Sequence, residues 1–313
     1  MTKEVLSLAI IGYSEDNDRQ LIELIKSAPR LILKAIHADS LETARQAAKE
    51  HGVSYYGSIC RLINSPKIDG LIVSSDRWIG LPKWNPISSC EKPVLLRSSA
   101  FGDSSRVERL YTLTQGLSSL ILPELFNRWT PSTLRLRELL ATRLGPLNSM
   151  KVVCQETEDR ASLIAKLDWC LAMIQEAPLT IVPDQEQQSV SVQVADSRNV
   201  TIVIDFQGNR DSSHATVESS VTCKGGVANL FGADTLAWEC GGPQYEESLE
   251  HERSSLKVCL DLFGRRIAGG IVPIPDLGDA VRAHHLAAHI LTSLETGKTI
   301  ECSGPLLDSQ NSC

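Results

Sequence analysis

Four short, nearly continuous apolar runs punctuate the first hundred residues: Val5 to Ile11, Leu31 to Ile36, Gly70 to Ser74 and Pro93 to Leu96. Strands that are apolar on both sides must be covered on both faces, and helical patterns fill the intervals between them. Leu21, Leu24, Ile25 and Ala28 recur at helical spacing within Asp18 to Ala28, and Pro29 stops that helix. Ser40 is placed to cap a second helix, carrying Leu41, Ala44, Ala47 and Ala48, that closes at His51-Gly52. Ser58 to Asn64 and a loop or short helix at Pro86 to Cys90 lie between the later strands. A strand repeatedly followed by a helix gives a parallel, doubly wound sheet, so a Rossmann-like domain is expected over residues 1–118.

A different pattern begins near Ser118. Helices are expected at Thr133 to Arg143 and Ala161 to Gln175, followed by runs that alternate with period two. Val200, Ile202, Ile204 and Phe206 share one face, and Val190 to Val194 and Thr216 to Cys223 read the same way. Gly225-Gly226 has the character of a hairpin turn. Glu246 to Arg265 and Asp276 to Thr296, the latter ended by Gly297, read as closing helices. The fold class is therefore α/β: a Rossmann-like doubly wound parallel sheet, then an α+β domain over 119–313 with an open, mostly antiparallel sheet. Whether the last helix packs back on the first domain stays open.

Composition narrows the class of function. Lys+Arg 31 against Asp+Glu 38 gives a net charge of −7, and no basic stripe is present, so nucleic-acid and anionic-membrane partners are not expected. No stretch reaches the about 18 to 20 apolar residues that span a bilayer. The N-terminal apolar run is short and meets SEDNDR, so it reads as a first buried strand and not as a signal peptide. Nine scattered cysteines without a C-x-x-C fit a reducing, cytoplasmic location and give no reason to expect a metal. His285 and His289, with Arg282, are spaced as a metal pair would be, but they read as a solvated helix face.

The order of elements, together with LAIIG, ETARQAAKEHGVSYYGSICRLINSPKIDGLIVSS, KPVLL, LGPLNSMKVV, LDWCLAMIQEAPLTIV and DLGDAVRAHHLAAHILTSLETGKTI, resembles the glucose-fructose oxidoreductase / inositol dehydrogenase / rhizopine-catabolism (Gfo/Idh/MocA) family over nearly the whole chain. The resemblance implies an NAD(P)-dependent oxidoreductase of sugars, cyclitols or related hydroxyl compounds. It also implies pairing of copies through the open sheet of the second domain, where Val200 to Phe206 would contribute.

The residues at the implied chemical positions depart from the family pattern. Its G-x-G-x-x-G loop admits a diphosphate at a helix N-terminus. Here the stretch is Gly12-Tyr13-Ser14-Glu15-Asp16-Asn17, with no further glycine before Gly52, and Glu15, Asp16 and Asp18 would sit beside that terminus. The ribose-binding acid aligns with Ala38, with Asp39 one residue on. The E-K-P tripeptide is replaced by Arg97-Ser98-Ser99, so that Ser98 stands at the lysine position, while Glu91-Lys92-Pro93 precedes the strand as its lead-in. Arg97, always protonated, would orient an anion or lie on the surface paired with a carboxylate. The family's Asp-x-x-x-His falls on Ala161 and Ala165, and no histidine occurs between His51 and His214. Asp159, Lys166 and Asp168 are nearby but wrongly spaced for those roles and read as ordinary helix-face residues.

Two readings follow. In the first, the chain is a non-catalytic binding or regulatory homologue with no cofactor, taking at most a small-molecule ligand in a crevice near Asp76, Arg77, Trp78 and Arg97, with Trp84 in the same loop. In the alternative it is an active dehydrogenase or reductase using NAD or NADP in a repacked site, with Gly12, Ser14, Asn17, Asp39 and Ser75 holding the cofactor and Arg97 and Ser98 lining the crevice.

Overall fold

The computed structural model describes residues 5–75, 86–87, 89–100, 104–115, 120–154, 160–175, 177–194, 200–206, 217–272 and 274–302. The chain divides into two compact units. One comprises Met1–Glu124 with Leu256–Val281, and the other Leu125–Ser255 with Arg282–Cys313. The main division therefore falls six residues beyond Ser118, and a late segment returns to the first unit.

The first unit is built on β1 (Leu6–Ile11), β2 (Leu31–His37), β3 (Ser54–Tyr55), β4 (Gly70–Val73), β5 (Val94–Leu96) and β6 (Ile121–Pro123), in the order β3-β2-β1-β4-β5-β6. Every neighbouring pair is parallel. β1, β4 and β5 are buried along their whole length, as their apolar runs require. The helices are α1 (Glu15–Ser27), α2 (Leu41–His51), α3 (Ile59–Ile63) and α4 (Ser104–Thr114). The Ser40 hydroxyl accepts the Thr43 amide at 3.0 Å to start α2, and Gly52 ends it in the left-handed region (φ 67). α1 begins three residues before the expected Asp18, because Ser14, with extended backbone, takes the capping position.

In the second unit α5 (Pro131–Leu139) is capped by the Thr130 hydroxyl and runs into a π-helical turn at Leu140–Leu144. β7 (Leu147–Val153), α6 (Arg160–Ile174), β8 (Pro178–Asp184), β9 (Ser189–Val194), β10 (Thr201–Asp205), β11 (Ser219–Cys223), β12 (Val227–Leu230), β13 (Thr235–Glu239) and β14 (Tyr245–Ser248) follow. Next come α7 (Ser255–Ile267), α8 (Leu277–Thr296) and β15 (Ile300–Glu301). The sheet order is β14-β13-β12-β11-β7-β10-β9-β8-β15, and only β7 and β10 pair in parallel among the described residues. The Cys223 amide donates to the Gly226 carbonyl at 2.8 Å, closing the expected β11–β12 hairpin.

Val192, Ile202, Ile204, Met150 and Val221 form one core with Leu163, Leu167 and Cys170 of α6 and Leu286 and Ile290 of α8. Val200, Ile202, Ile204 and Phe206 thus point into this core. The opposite face of the sheet carries Thr201, Val203 and Asp205, with Lys151 bonded to Asp205 at 2.8 Å.

One expectation fails in the chain between the two units. Glu246 to Arg265 is not a single helix, since its first residues form β14 and α7 starts only at Ser255. Tyr245 stacks on Trp238 at 4.5 Å, and Glu247 takes both the Arg135 fork and the Trp238 indole N–H, so cross-strand partners override helical propensity.

α7 belongs to the first unit. A Cβ on Gly70 would lie 2.5 Å from Ile267 Cδ1, so the absence of a side chain in β4 lets this helix lie close on the sheet. No helix among the described residues is long and apolar enough to cross a membrane.

Candidate functional site

In a sheet of this strand order, ligands bind beyond the carboxyl ends of the strands, where the order reverses between β1 and β4. β1 ends at Ile11, and Gly12 turns the chain with φ 77, a conformation that favours glycine. The amides of Gly12 and Tyr13 both donate to the His37 carbonyl at the end of β2, at 2.9 and 3.0 Å. The Ser14 amide donates to Asp18 Oδ2 at 3.0 Å. Asp18 is fully buried, and the buried Ser74 lies beyond β4.

From the other side of the crevice come Arg97 after β5 and Glu124 after β6. Arg97 Nε donates to Glu124 Oε2 at 2.8 Å, and its terminal nitrogen reaches Asp18 Oδ1 at 3.4 Å. Ser98 adds its amide at 3.1 Å and its hydroxyl at 3.4 Å to the same Glu124 oxygen. Glu124 Oε1, equally buried, has no hydrogen-bond partner among the described residues. Burial pushes both carboxyls above their ordinary range. For Asp18 the Ser74 side chain, the Ser14 amide and the Arg97 charge oppose that shift; for Glu124 the Arg97 charge is the largest opposing cause. Cys259 of α7 lies beside Glu124 and Arg97, and burial pushes its thiol up to about 12.

The structure thus brings together Gly12, Ser14, Arg97 and Ser98 from the sequence reading. Arg97 is not a surface cation: it is buried between two carboxylates. Ser75 is buried, directly after Ser74. Asn17 is exposed on α1, and so is Asp39, whose carboxylate accepts the neighbouring Ser40 amide at 2.7 Å. Lys92 donates to the carbonyls of Ile63 and Ser65, both at 2.6 Å, in keeping with its place before β5. Asp76, Arg77, Trp78, Trp84 and Asp159 lie outside the described residues. Glu124, Ser74 and Cys259 were not singled out from the sequence. β6 is only three residues long, so nothing in the hydropathy marked Glu124 as the end of a strand.

The second unit holds another charged cluster. Ala161, Ala165 and Asp168 share a face of α6. Asp168 is no ordinary helix-face residue: it is buried and takes the Arg128 fork on both oxygens, Nε lying 2.8 Å from Oδ2. Lys166 donates to the Val153 carbonyl at 2.7 Å. The Arg137 guanidinium lies 5.7 Å from the centre of the Trp129 ring, and burial and the Arg128 charge lower its pKa, against the pull of Asp168. Thr133 accepts the Trp169 indole N–H at 3.0 Å and donates to the Asn127 carbonyl at 2.7 Å, fixing the segment that carries Arg128 and Trp129.

His285 and His289 are half-buried, which corrects the solvated face expected for them, and burial lowers the His289 pKa. No group of His, Cys, Asp or Glu that could hold a metal occurs among the described residues.

No protein-family model and no curated protein sequence matches the chain. Solved structures do. An aldose-aldose oxidoreductase from Caulobacter crescentus, complexed with glycerol, superposes with a TM-score of 0.75 at 16% identity over 95% of this chain and 99% of its own. An oxidoreductase from Agrobacterium radiobacter in complex with NAD+, L-tartaric acid and magnesium gives 0.74 at 13% identity over 96% and 98%. The transcriptional regulator Gal80p from Kluyveromyces lactis gives 0.74 at 13% identity over 98% and 96%. The chain therefore has the fold of the Gfo/Idh/MocA-type oxidoreductases, a Rossmann-like parallel sheet joined to a mostly antiparallel one, as its sequence resemblance implies.

Proposed function

We propose that this chain is a non-catalytic binding or regulatory homologue of the Gfo/Idh/MocA oxidoreductases, without a resident dinucleotide. The observation that carries the reading is the bond from the Ser14 amide to the buried Asp18 carboxylate. In dinucleotide-binding folds the diphosphate uses such helix-terminal amides and the positive end of the helix dipole. Here a carboxylate of the chain already takes that position, and a second one, Glu124, stands across Arg97. Two buried acids against one arginine repel a diphosphate, so the residues present do not fit the group. The methyl groups of Ala161 and Ala165 have no proton to give or accept, so no acid-base group stands at those two positions of α6. That one protein of the same fold is a transcriptional regulator supports a role without turnover.

No disulfide joins any of the eight described cysteines to another, in accord with the proposed cytoplasmic location. Assembly through the polar face of the second sheet remains part of the proposal.

Titration of the purified chain with NADH and with NADPH, followed by nicotinamide fluorescence and by heat, tests the reading. No saturable signal is expected in the micromolar range. Saturable micromolar binding of either nucleotide overturns it in favour of an active dehydrogenase or reductase.

A further inference from the structure

Among the described residues, Arg137 is a cation that no carboxylate bonds. It is half-buried on α5, and among the described residues neither a carboxylate nor any other acceptor bonds its guanidinium, whose one ring contact is Trp129 at 5.7 Å. A guanidinium stays protonated, so the group cannot relieve burial by losing its charge. Its neighbour Arg128 does not help, because that charge is of the same sign and its fork is engaged by Asp168. The local sum is two arginines against one carboxylate, in a chain whose net charge is −7. On the α6 face that carries Asp168, the preceding positions are Ala165 and Ala161, which bring no acid toward the cluster. Buried charge is costly unless something pairs with it, and Arg97 and Arg128, the arginines of the two charged clusters, each have a carboxylate.

We propose that Arg137, flanked by the Arg128–Asp168 pair and by Trp129, is an anion-binding subsite of the second unit that receives the carboxylate or phosphate monoester of a small hydroxylated ligand. The planar fork of a guanidinium matches two oxygens of either group, and Trp129 holds that fork by its ring face. The inference deepens the proposed binding role by naming the class of ligand, yet it stands on residues separate from the Asp18 cluster.

The test is calorimetric titration of the full chain, with no dinucleotide present, using D-gluconate, D-glucose 6-phosphate, inorganic phosphate and uncharged D-glucose as probes. Saturable binding of gluconate or of glucose 6-phosphate is expected, with glucose failing to bind. Gluconate alone assigns a carboxylate; glucose 6-phosphate with inorganic phosphate assigns a phosphate. Arg137→Gln should weaken the bound probe by about tenfold or more, and Arg137→Lys by less. Among the described residues the Arg137 side chain makes no hydrogen bond, so the urea midpoint of Arg137→Gln should match wild type and exclude unfolding as the cause. Absence of binding by every anionic probe, equal binding of glucose, or binding unchanged in Arg137→Gln overturns the proposal. Dinucleotide binding would instead overturn the proposed function and leave this result untouched.

Discussion

The Asp18–Arg97–Glu124 cluster of the first unit and the Arg128–Asp168–Arg137 cluster of the second are near mirror images in charge. The first sets two acids around one arginine, and the second sets two arginines around one acid. They differ in how completely each is closed by the chain itself. Asp18 is bonded by Ser14 and Arg97, and Glu124 Oε2 by Arg97 and Ser98, all from loops that end neighbouring strands. Among the described residues Arg137 has only a ring face. Surplus negative charge in a buried site can be relieved by a proton, since carboxyl pKa values move; surplus positive charge on arginine cannot. The first cluster can therefore be self-sufficient, whereas the second calls for an external anion.

Variants that open the closed cluster probe this contrast most severely. Arg97→Met leaves two buried carboxylates facing each other and should cost about 3 to 5 kcal/mol in urea unfolding at neutral pH. A loss under about 1 kcal/mol would show that the three charges are not coupled. Asp168→Ala orphans Arg128 beside Arg137 and should cost about 3 kcal/mol by the same measurement. A smaller loss there than for a surface acid such as Glu23 would break the mirror-image description.

Glu124→Gln is a milder change, because the amide oxygen can keep the donors from Arg97 and Ser98. At neutral pH it should be neutral or stabilising by about 1 kcal/mol. The sign follows from the raised carboxyl: folding favours its protonated form, so that contribution is complete below the ordinary glutamate value of 4.5 and is lost as pH rises through the higher folded value. Wild type should therefore lose stability relative to Glu124→Gln as pH climbs above 4.5, and a flat difference from acid to neutral pH would contradict the raised carboxyl. Arg137→Gln, with its unchanged midpoint, completes the series as the variant that alters charge without opening a bond.

The parallel sheet was legible because β1, β4 and β5 are buried on both sides and so are apolar throughout, and β2, though it exposes Ile32 and Lys34, is otherwise apolar up to Ile36. The acidic neighbourhood of the first helix was also visible in Glu15, Asp16 and Asp18, but only the fold shows that Asp18 turns inward while Glu15 and Asp16 remain exposed. Helical phase explains the difference: Asp18 lies three and four residues from Leu21 and Ile22, on the buried side of α1. Glu124 could not be found, because its importance comes from strand pairing between β5 and β6 and not from any local pattern. Arg137 was equally silent in the sequence, where an arginine without a partner looks the same as one with several. β14 was misread because Tyr245 and Glu247 owe their strand conformation to Trp238 and Arg135, residues on other elements.

The return of α7 to the first sheet has a consequence for synthesis of the chain. Ile267 sits against Gly70, and Leu31 and Leu6 lie near Gly264, so part of the N-terminal sheet is covered by a helix made after the whole intervening second-sheet segment. A chain growing from its N-terminus must carry that apolar strand surface uncovered until residues beyond 255 have left the ribosome. At about 5 to 20 residues per second, that delay lasts several seconds or more. Completion of the first unit is thereby tied to nearly full-length translation, and a truncated product ending before Ser255 would display a sticky half-finished sheet that chaperones and proteases can recognise.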